Sequence, residues 1–189
     1  MQLLEADEDT REARRIAPPA EGLRFRAPSL EDGKAVQDLI ASCATLDDNS
    51  LYCNFLQCTH FADTCLLVEQ EQKLLGWISA YRPPREPDTL FVWQVAVCPE
   101  ARGQGLAGRM VERLLARPSC RGVQRLRATI TPGNTASWRL FGSIADSLEA
   151  PFSRRLWLDA EENFDGDHED EFMITIGPFA PVSRAASAA

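Results

Sequence analysis

A glycine-containing turn at residues 102–107 (RGQGLA) is the clearest candidate for ligand binding in the sequence. It follows a long apolar segment and precedes an amphipathic one, as a strand-to-helix turn does. Backbone N–H groups at a helix N-terminus point one way and bind phosphate oxygens, and glycine lets the backbone approach those oxygens closely. We therefore predict a diphosphate site formed by Arg102, Gly103, Gln104, Gly105, Leu106 and Ala107.

This turn differs from two common nucleotide sites. It has no Gly-Lys-Ser/Thr as in a Walker A loop, and its G-x-G-x-x-G spacing from Gly103 does not stand after a first strand, the usual setting of the dinucleotide motif. These differences argue against ATP and NAD. Taken alone, the six residues fit an ordinary strand-to-helix turn equally well.

An acidic segment at residues 159–171 is the second candidate. It contains eight carboxylates and no Lys or Arg, in a chain whose formal net charge is −8. His168 and Glu171 lie three residues apart where this segment enters the last predicted strand, so they are natural candidates for accepting a proton. On charge alone, the segment also fits a solvated acidic loop.

Polar and aromatic residues elsewhere could form an acceptor pocket. Asp47, Asn49 and Ser50 fit either a substrate site or a helix stop followed by the cap of the next helix. Tyr52 could line a pocket, protonate a leaving group or simply pack. Trp93 lies in an apolar strand and fits either the core or an aromatic wall for a cation.

The apolar periodicity alternates between that of strands and that of helices. It predicts the order β-α-α-β-β-β-α-β-α-β-β, an α/β chain with one mixed sheet flanked by helices. Four helices are predicted. The first begins near Ser29, the second ends near His60, the third directly follows the glycine turn, and the fourth begins at Asn134. The strands are predicted at 23–26, 64–69, 74–81, 90–97, 123–130, 151–158 and 172–176. Segment 90–97 is nearly all apolar, which is typical of a strand buried on both faces.

Composition limits the class of protein. The chain of 189 residues is 44% hydrophobic, which suits one domain, predicted at 23–179 between tails at 1–22 and 180–189. The acidic charge argues against a partner that is nucleic acid or membrane surface. No apolar run is long enough for a membrane helix, and we expect no secretory signal at the N-terminus.

The cysteines are predicted to be free. The six occur at irregular spacing, and small buried thiols are typical of a cytoplasmic protein. Cys53, Cys58, His60 and Cys65 share one short window. Their spacing fits no common structural zinc pattern, so we predict no metal.

The glycine turn, the apolar strand before it and the Asn-x-x-Ser helix after it resemble the GNAT superfamily of acetyl-CoA-dependent N-acetyltransferases over residues 23–178. The resemblance implies a GNAT fold with splayed central strands and acetyl-CoA as cosubstrate. The turn would then hold the pyrophosphate, and further cofactor contacts would come from Val95, Ala96, Val97, Asn134, Ser137 and Phe141. Phe141 stands where many members have a tyrosine that protonates the departing thiolate.

Five longer segments resemble the L-2,4-diaminobutyrate acetyltransferases of ectoine biosynthesis: 46–52 (LDDNSLY), 57–64 (QCTHFADT), 87–97 (PDTLFVWQVAV), 131–138 (TPGNTASW) and 164–171 (FDGDHEDE). This resemblance implies acetylation of the γ-amine of diaminobutyrate by a cytoplasmic homodimer. The acceptor would then be bound by Asp47, Asn49, Ser50, Tyr52, Trp93, His168 and Glu171. Of these, Glu171, His168 and Tyr52 would also be catalytic.

An amine acceptor must lose a proton before it reacts, and acidic side chains in the site can accept that proton. An alkyl amine has a pKa of ~10.4, so most of it is protonated at neutral pH and cannot attack a thioester. We expect Glu171, or a water that it holds, to take the proton before direct transfer, with a strand N–H near Val95 stabilising the oxyanion. Cys98 has no histidine in its segment, which disfavours an acyl-cysteine intermediate.

Two other functions stay open at this stage. One is a GNAT enzyme for another small cationic amine, such as a polyamine, which would need no carboxylate site. The other is a non-catalytic acyl-CoA-binding domain, which Phe141 in place of tyrosine leaves open.

Overall fold

One mixed sheet of seven strands organises the protein, described in a computed structural model for residues 22–43 and 49–182. The strands are β1 (Arg24–Arg26), β2 (Leu66–Gln70), β3 (Lys73–Tyr81), β4 (Thr89–Val97), β5 (Arg125–Ile130), β6 (Phe152–Leu158) and β7 (Glu171–Ile176). Their spatial order is β1-β2-β3-β4-β5-β7-β6. Neighbouring strands are antiparallel except β4 and β5, which are parallel.

Among these described residues, five α-helices accompany the sheet: α1 (Gly33–Ala41), α2 (Leu51–Thr59), α3 (Leu106–Leu115), α4 (Thr135–Ser147) and α5 (Ala160–Phe164). The α1 helix packs against α2, β3 and β4, whereas α3 packs against α4 and strands β2 to β4. The predicted fold class is confirmed, and so is the predicted order of the seven strands and of α1 to α4, whereas α5 was not predicted. The predicted tails lie mostly outside the described residues.

The acidic segment was interpreted from the sequence as a loop, but it contains the helix α5. The carboxylate of Asp159 caps this helix by accepting from the backbone N–H groups of Glu161 and Glu162. The Asp170 carboxylate accepts from the N–H of Ala160 at 2.9 Å. Carboxylates stabilise a helix N-terminus, where the N–H groups lack partners within the helix. Part of the negative charge therefore shapes the segment.

The central strands separate, as predicted. Pairing between β4 and β5 is limited to Thr89–Phe91 against Arg125–Arg127, although β4 continues to Val97. The rest of β5 pairs instead with β7, as far as Ile130 with Phe172. A cleft therefore opens between β4 and β5 beyond Phe91.

The prediction that segment 90–97 is buried on both faces is wrong. Leu90, Val92 and Ala96 are buried, but the side chain of Trp93 is 48% exposed. The register between β3 and β4 shifts here, because Ser79 pairs with Gln94 while Ala80 pairs with Val92. Trp93 is thus the extra residue of a β-bulge, on the less buried face of β4 that it shares with Phe91, Val95 and Val97.

All six cysteines are free, and five of them are buried. Within the described ranges, no group of His, Cys, Asp and Glu is arranged to hold a metal ion. No helix in residues 22–43 and 49–182 combines the length and the apolar character needed to span a bilayer.

Candidate active site

The predicted phosphate turn begins just after β4 ends and leads into α3. Gly103 and Gly105 adopt positive φ angles of 74° and 68°, and Gly105 is the N-cap of α3. A Cβ added to either glycine would meet no atom within 4 Å, so the outer surface of the turn is open. The N–H groups of the first helical turn lack partners within the helix and suit an anion.

Arg102 joins the turn to two other elements. Its Nε donates to the carbonyl oxygen of Val97 at 3.0 Å, and its Nη2 lies 3.4 Å from Sγ of Cys43, just after α1. Gln104 donates through Nε2 to the carbonyl oxygen of Glu100 at 3.1 Å. These contacts fix the shape of the turn at the end of the splayed strand.

A groove of about 550 Å³ runs between α3 and α4 and starts at the turn, with Gly105 in its wall. Its volume is in the range of small-molecule sites. Sequence reasoning missed most of its lining, which includes Gly108, Arg109, Leu140 and Ser143. Only the amphipathic pattern of the two helices indicated that these residues lie outside the core.

The predicted cofactor residues on α4 have different surroundings. Asn134 caps the helix, since its Oδ1 accepts from the N–H of Ser137 at 3.0 Å. Phe141 is only 3% exposed and packs in the core. In β4, Ala96 is buried while Val95 and Val97 are half-buried next to the cleft. The role of these residues in cofactor binding stays a prediction.

An aromatic wall formed by Phe61, Tyr81, Phe91 and Trp93 lies beside the bulge. The ring of Tyr81 is 6.4 Å from that of Trp93, 5.2 Å from Phe91 and 6.3 Å from Phe61. Burial raises the pKa of the Tyr81 phenol, so it is neutral at physiological pH. Sequence reasoning proposed only Trp93, because the pairing of Tyr81 with Phe91 is not visible in either strand alone.

The start of α2 faces the same part of β4. Ser50 caps α2 by accepting from the N–H of Cys53 at 3.1 Å, and the side chain of Asn49 donates to Oε1 of Gln94 at 2.7 Å. Tyr52, in the first turn of α2, is 71% exposed. Asp47 lies outside the described residues.

His168 and Glu171 form a pair at the beginning of β7. Nε2 of His168 is 4.0 Å from Oε1 of Glu171, and the two side chains are 30% and 14% exposed. Nδ1 of His168 lies 2.7 Å from the carbonyl oxygen of Glu169. Since a carbonyl oxygen only accepts, Nδ1 is the donor and Nε2 faces the carboxylate. At 4.0 Å the two groups are within ion-pair distance but not within hydrogen-bond distance.

The sheet brings this pair to the cleft. Glu171 precedes Phe172, which is the partner of Ile130 at the far end of β5. At that level β4 and β5 have already separated. A proton acceptor on β7 and an aromatic wall that includes residues of β4 therefore flank the cleft, and the phosphate turn follows the end of β4.

Comparison with known proteins agrees with this architecture. Residues 34–144, more than half of the chain, match the model of the acetyltransferase (GNAT) family. The chain belongs to the GNAT acetyltransferase family. The fold and family predicted from the sequence are thus confirmed.

Several GNAT relatives are much more similar than the family as a whole. The L-2,4-diaminobutyric acid acetyltransferase of Vibrio cholerae is 48% identical over 152 residues, which cover 80% of this chain and 88% of that protein. The protein of the same name from Methylotuvimicrobium alcaliphilum is 46% identical over 155 residues, 82% of this chain and 90% of the relative. The predicted resemblance to diaminobutyrate acetyltransferases is therefore confirmed.

A solved structure is also similar to this chain, both in fold and in sequence. The diaminobutyrate acetyltransferase EctA from Paenibacillus lautus, in complex with L-2,4-diaminobutyric acid and coenzyme A, superposes with a TM-score of 0.80 at 43% identity. The match covers 84% of this chain and 96% of that one. The ribosomal-protein-S18-alanine N-acetyltransferase of Escherichia coli, at 17% identity and a TM-score of 0.60, shares only the GNAT fold.

Proposed function

We propose that this enzyme transfers the acetyl group of acetyl-CoA to the γ-amine of L-2,4-diaminobutyrate, a step of ectoine biosynthesis. The observation that carries the proposal is the similarity to the Paenibacillus lautus enzyme, whose structure contains both diaminobutyric acid and coenzyme A. The open phosphate turn and the acidic pair across the cleft support the same reaction.

The cosubstrate supplies the acetyl thioester. The turn from Arg102 to Ala107 binds its pyrophosphate through backbone N–H groups and the positive end of α3. Gly103 and Gly105 leave the space that the phosphate oxygens need. The unpaired edge of β4 beyond Phe91 offers backbone partners to the pantetheine arm.

Glu171 takes the proton from the γ-ammonium, directly or through a water that it holds. The carboxylate suits this role because it is only 14% exposed and lies beside His168. His168 can accept the proton in turn, since its Nε2 faces Glu171. The aromatic wall holds the amino-acid ammonium by cation–π attraction.

The neutral amine then forms a bond to the acetyl carbon as the bond between carbon and sulfur breaks, and the nitrogen releases its second proton to water as the amide forms. A backbone N–H near Val95 stabilises the oxygen charge that develops. Tyr52 donates a proton to the departing thiolate. We infer direct transfer, since burial raises the pKa of the Cys98 thiol, which disfavours an acyl intermediate on that residue.

The test is release of coenzyme A with diaminobutyrate, ornithine, lysine, putrescine and spermidine as acceptors. We expect the highest kcat/KM for diaminobutyrate, with identification of the γ-acetyl product by NMR. Comparable turnover of spermidine would contradict the proposed substrate. Binding of acetyl-CoA without turnover of any amine would contradict catalysis altogether.

We also propose that two copies of the chain associate through β6. This strand is at the edge of the sheet, and nearly all its residues are exposed. Phe152, Leu156 and Trp157 are 38%, 46% and 45% exposed. Large aromatic residues together with Arg154 and Arg155 are typical of protein interfaces, and a free strand edge can pair with another copy.

Replacing Trp157 with Glu is expected to convert the dimer into a monomer, because a carboxylate would have to be buried in an apolar contact. The molar mass measured by light scattering after size exclusion should fall from twice the chain mass of 21.0 kDa to that mass. The matched control is Leu30→Glu, since Leu30 is 56% exposed and lies far along the chain from β6. A monomeric wild-type protein, or a dimer that survives Trp157→Glu, would contradict the proposed surface.

We further propose a cytoplasmic location. Six free cysteines support it, because thiols persist in a reducing compartment. Fractionation of cells that express the protein should place it with cytoplasmic enzymes.

A further inference from the structure

We propose that Asn49 and Gln94 are positioning residues, whose hydrogen bond holds the start of α2 against the β4 bulge and thereby sets the geometry of the acceptor pocket. The inference rests on the proposed function, since it concerns the binding of diaminobutyrate.

Gln94 is an unusual residue for its position. It lies in the middle of β4 between apolar neighbours and is only 6% exposed. Burying an amide costs free energy unless it is hydrogen-bonded. Its Oε1 accepts from Nδ2 of Asn49 at 2.7 Å, across 45 positions of sequence. A polar contact at this depth fixes the separation between β4 and the residue before α2.

The two ends of this hydrogen bond adjoin acceptor candidates. Gln94 follows Trp93 at the bulge and pairs with Ser79. Asn49 precedes Ser50, the cap of α2, and Tyr52 lies in the first turn of that helix. One hydrogen bond therefore links the aromatic wall to the end of α2 that carries the proposed proton donor.

The side-chain contacts described for the cofactor turn involve residues other than Asn49 and Gln94. The turn is held through Arg102, by Val97 and Cys43, and through Gln104, by Glu100. Losing the Asn49–Gln94 bond should therefore loosen the acceptor side alone. A displacement of about 1 Å in a site can reduce activity roughly 10²-fold.

A second amide pair on α2 provides a matched control. The side chain of Asn54, which is fully buried, donates to Oε1 of Gln37 on α1. This pair has the same chemistry and also anchors α2, but it joins helix to helix rather than helix to β4. A purely structural role for Asn49 and Gln94 would give the same phenotype at both pairs.

The experiment compares Asn49→Ala, Gln94→Asn, the exchanged double variant Asn49→Gln/Gln94→Asn, and Gln37→Ala. For the first two we expect KM for diaminobutyrate to rise about 10-fold or more, with KM for acetyl-CoA unchanged. The double variant restores the summed length of the two side chains, so its KM for diaminobutyrate should return towards that of the wild type. Gln37→Ala should lower the melting temperature and leave both KM values unchanged.

An unchanged KM for diaminobutyrate in Asn49→Ala, an equal rise in Gln37→Ala, or a parallel rise of both KM values would overturn the positioning role. The wild-type acceptor panel separates this failure from that of the proposed function. If the wild type prefers another amine, the proposed substrate is wrong, and the same four variants are then measured with that amine.

Discussion

Replacing Glu171 with Gln should lower kcat for acetylation of diaminobutyrate by about 10²- to 10⁴-fold, the range typical of a lost general base. The amide has nearly the shape of the carboxylate but cannot accept the proton that keeps the γ-amine from attacking. The measurement is steady-state release of coenzyme A, with thermal unfolding to show that the variant is folded. Affinity for acetyl-CoA should not change, because Glu171 lies on β7 and the turn lies between β4 and α3.

Asp167→Asn is the control for this variant. It removes one negative charge from the same acidic segment, but Asp167 is exposed and lies outside the His168–Glu171 pair. Its kcat should stay within about two-fold of the wild type, as expected for a surface change. If Glu171→Gln keeps its kcat and only raises KM for diaminobutyrate, Glu171 binds the ammonium without taking its proton.

The proximity of His168 and Glu171 could be predicted from the sequence because it depends only on their local spacing. His168 and Glu171 are close in sequence and precede a clearly apolar strand, so their proximity needed no long-range contact. The strands and helices were predictable for the same reason, since apolar periodicity is a local property. Even so, β5 begins at Arg125 rather than at Val123, which is buried without belonging to the strand.

The features that could not be predicted depend on pairing between distant segments. The bulge at Trp93 is a mismatch between β3 and β4, and neither strand shows it alone. The groove between α3 and α4 has both Arg109 and Ser143 in its lining, and this depends on how the two helices pack. The Asn49–Gln94 bond connects a helix start to a strand centre. Phe141 was assigned to the cofactor by resemblance, whereas its burial depends on the core around α4.

The cofactor turn allows a prediction in which backbone strain and ligand contact can be separated. Gly105→Ala should weaken binding of acetyl-CoA about 10- to 100-fold, because the added methyl group occupies the open surface of the turn and displaces N–H groups that donate to the pyrophosphate. Hydrogen bonds to charged groups contribute roughly 1.5–3 kcal/mol each, which corresponds to that range. The measurement is calorimetric titration of acetyl-CoA, with KM for acetyl-CoA as a second readout.

Gly122→Ala is the matched control for strain. Gly105 and Gly122 have φ angles of 68° and 79°, and a Cβ added to either would meet no atom within 4 Å. Alanine in this conformation costs about 1–2 kcal/mol of stability, so both variants should unfold at similarly lower denaturant concentrations. Gly122 lies before β5 and does not line the groove between α3 and α4. Equal affinity for acetyl-CoA in the two variants would mean that the turn does not bind the pyrophosphate, whereas a loss confined to Gly105→Ala can arise only from contact with the ligand.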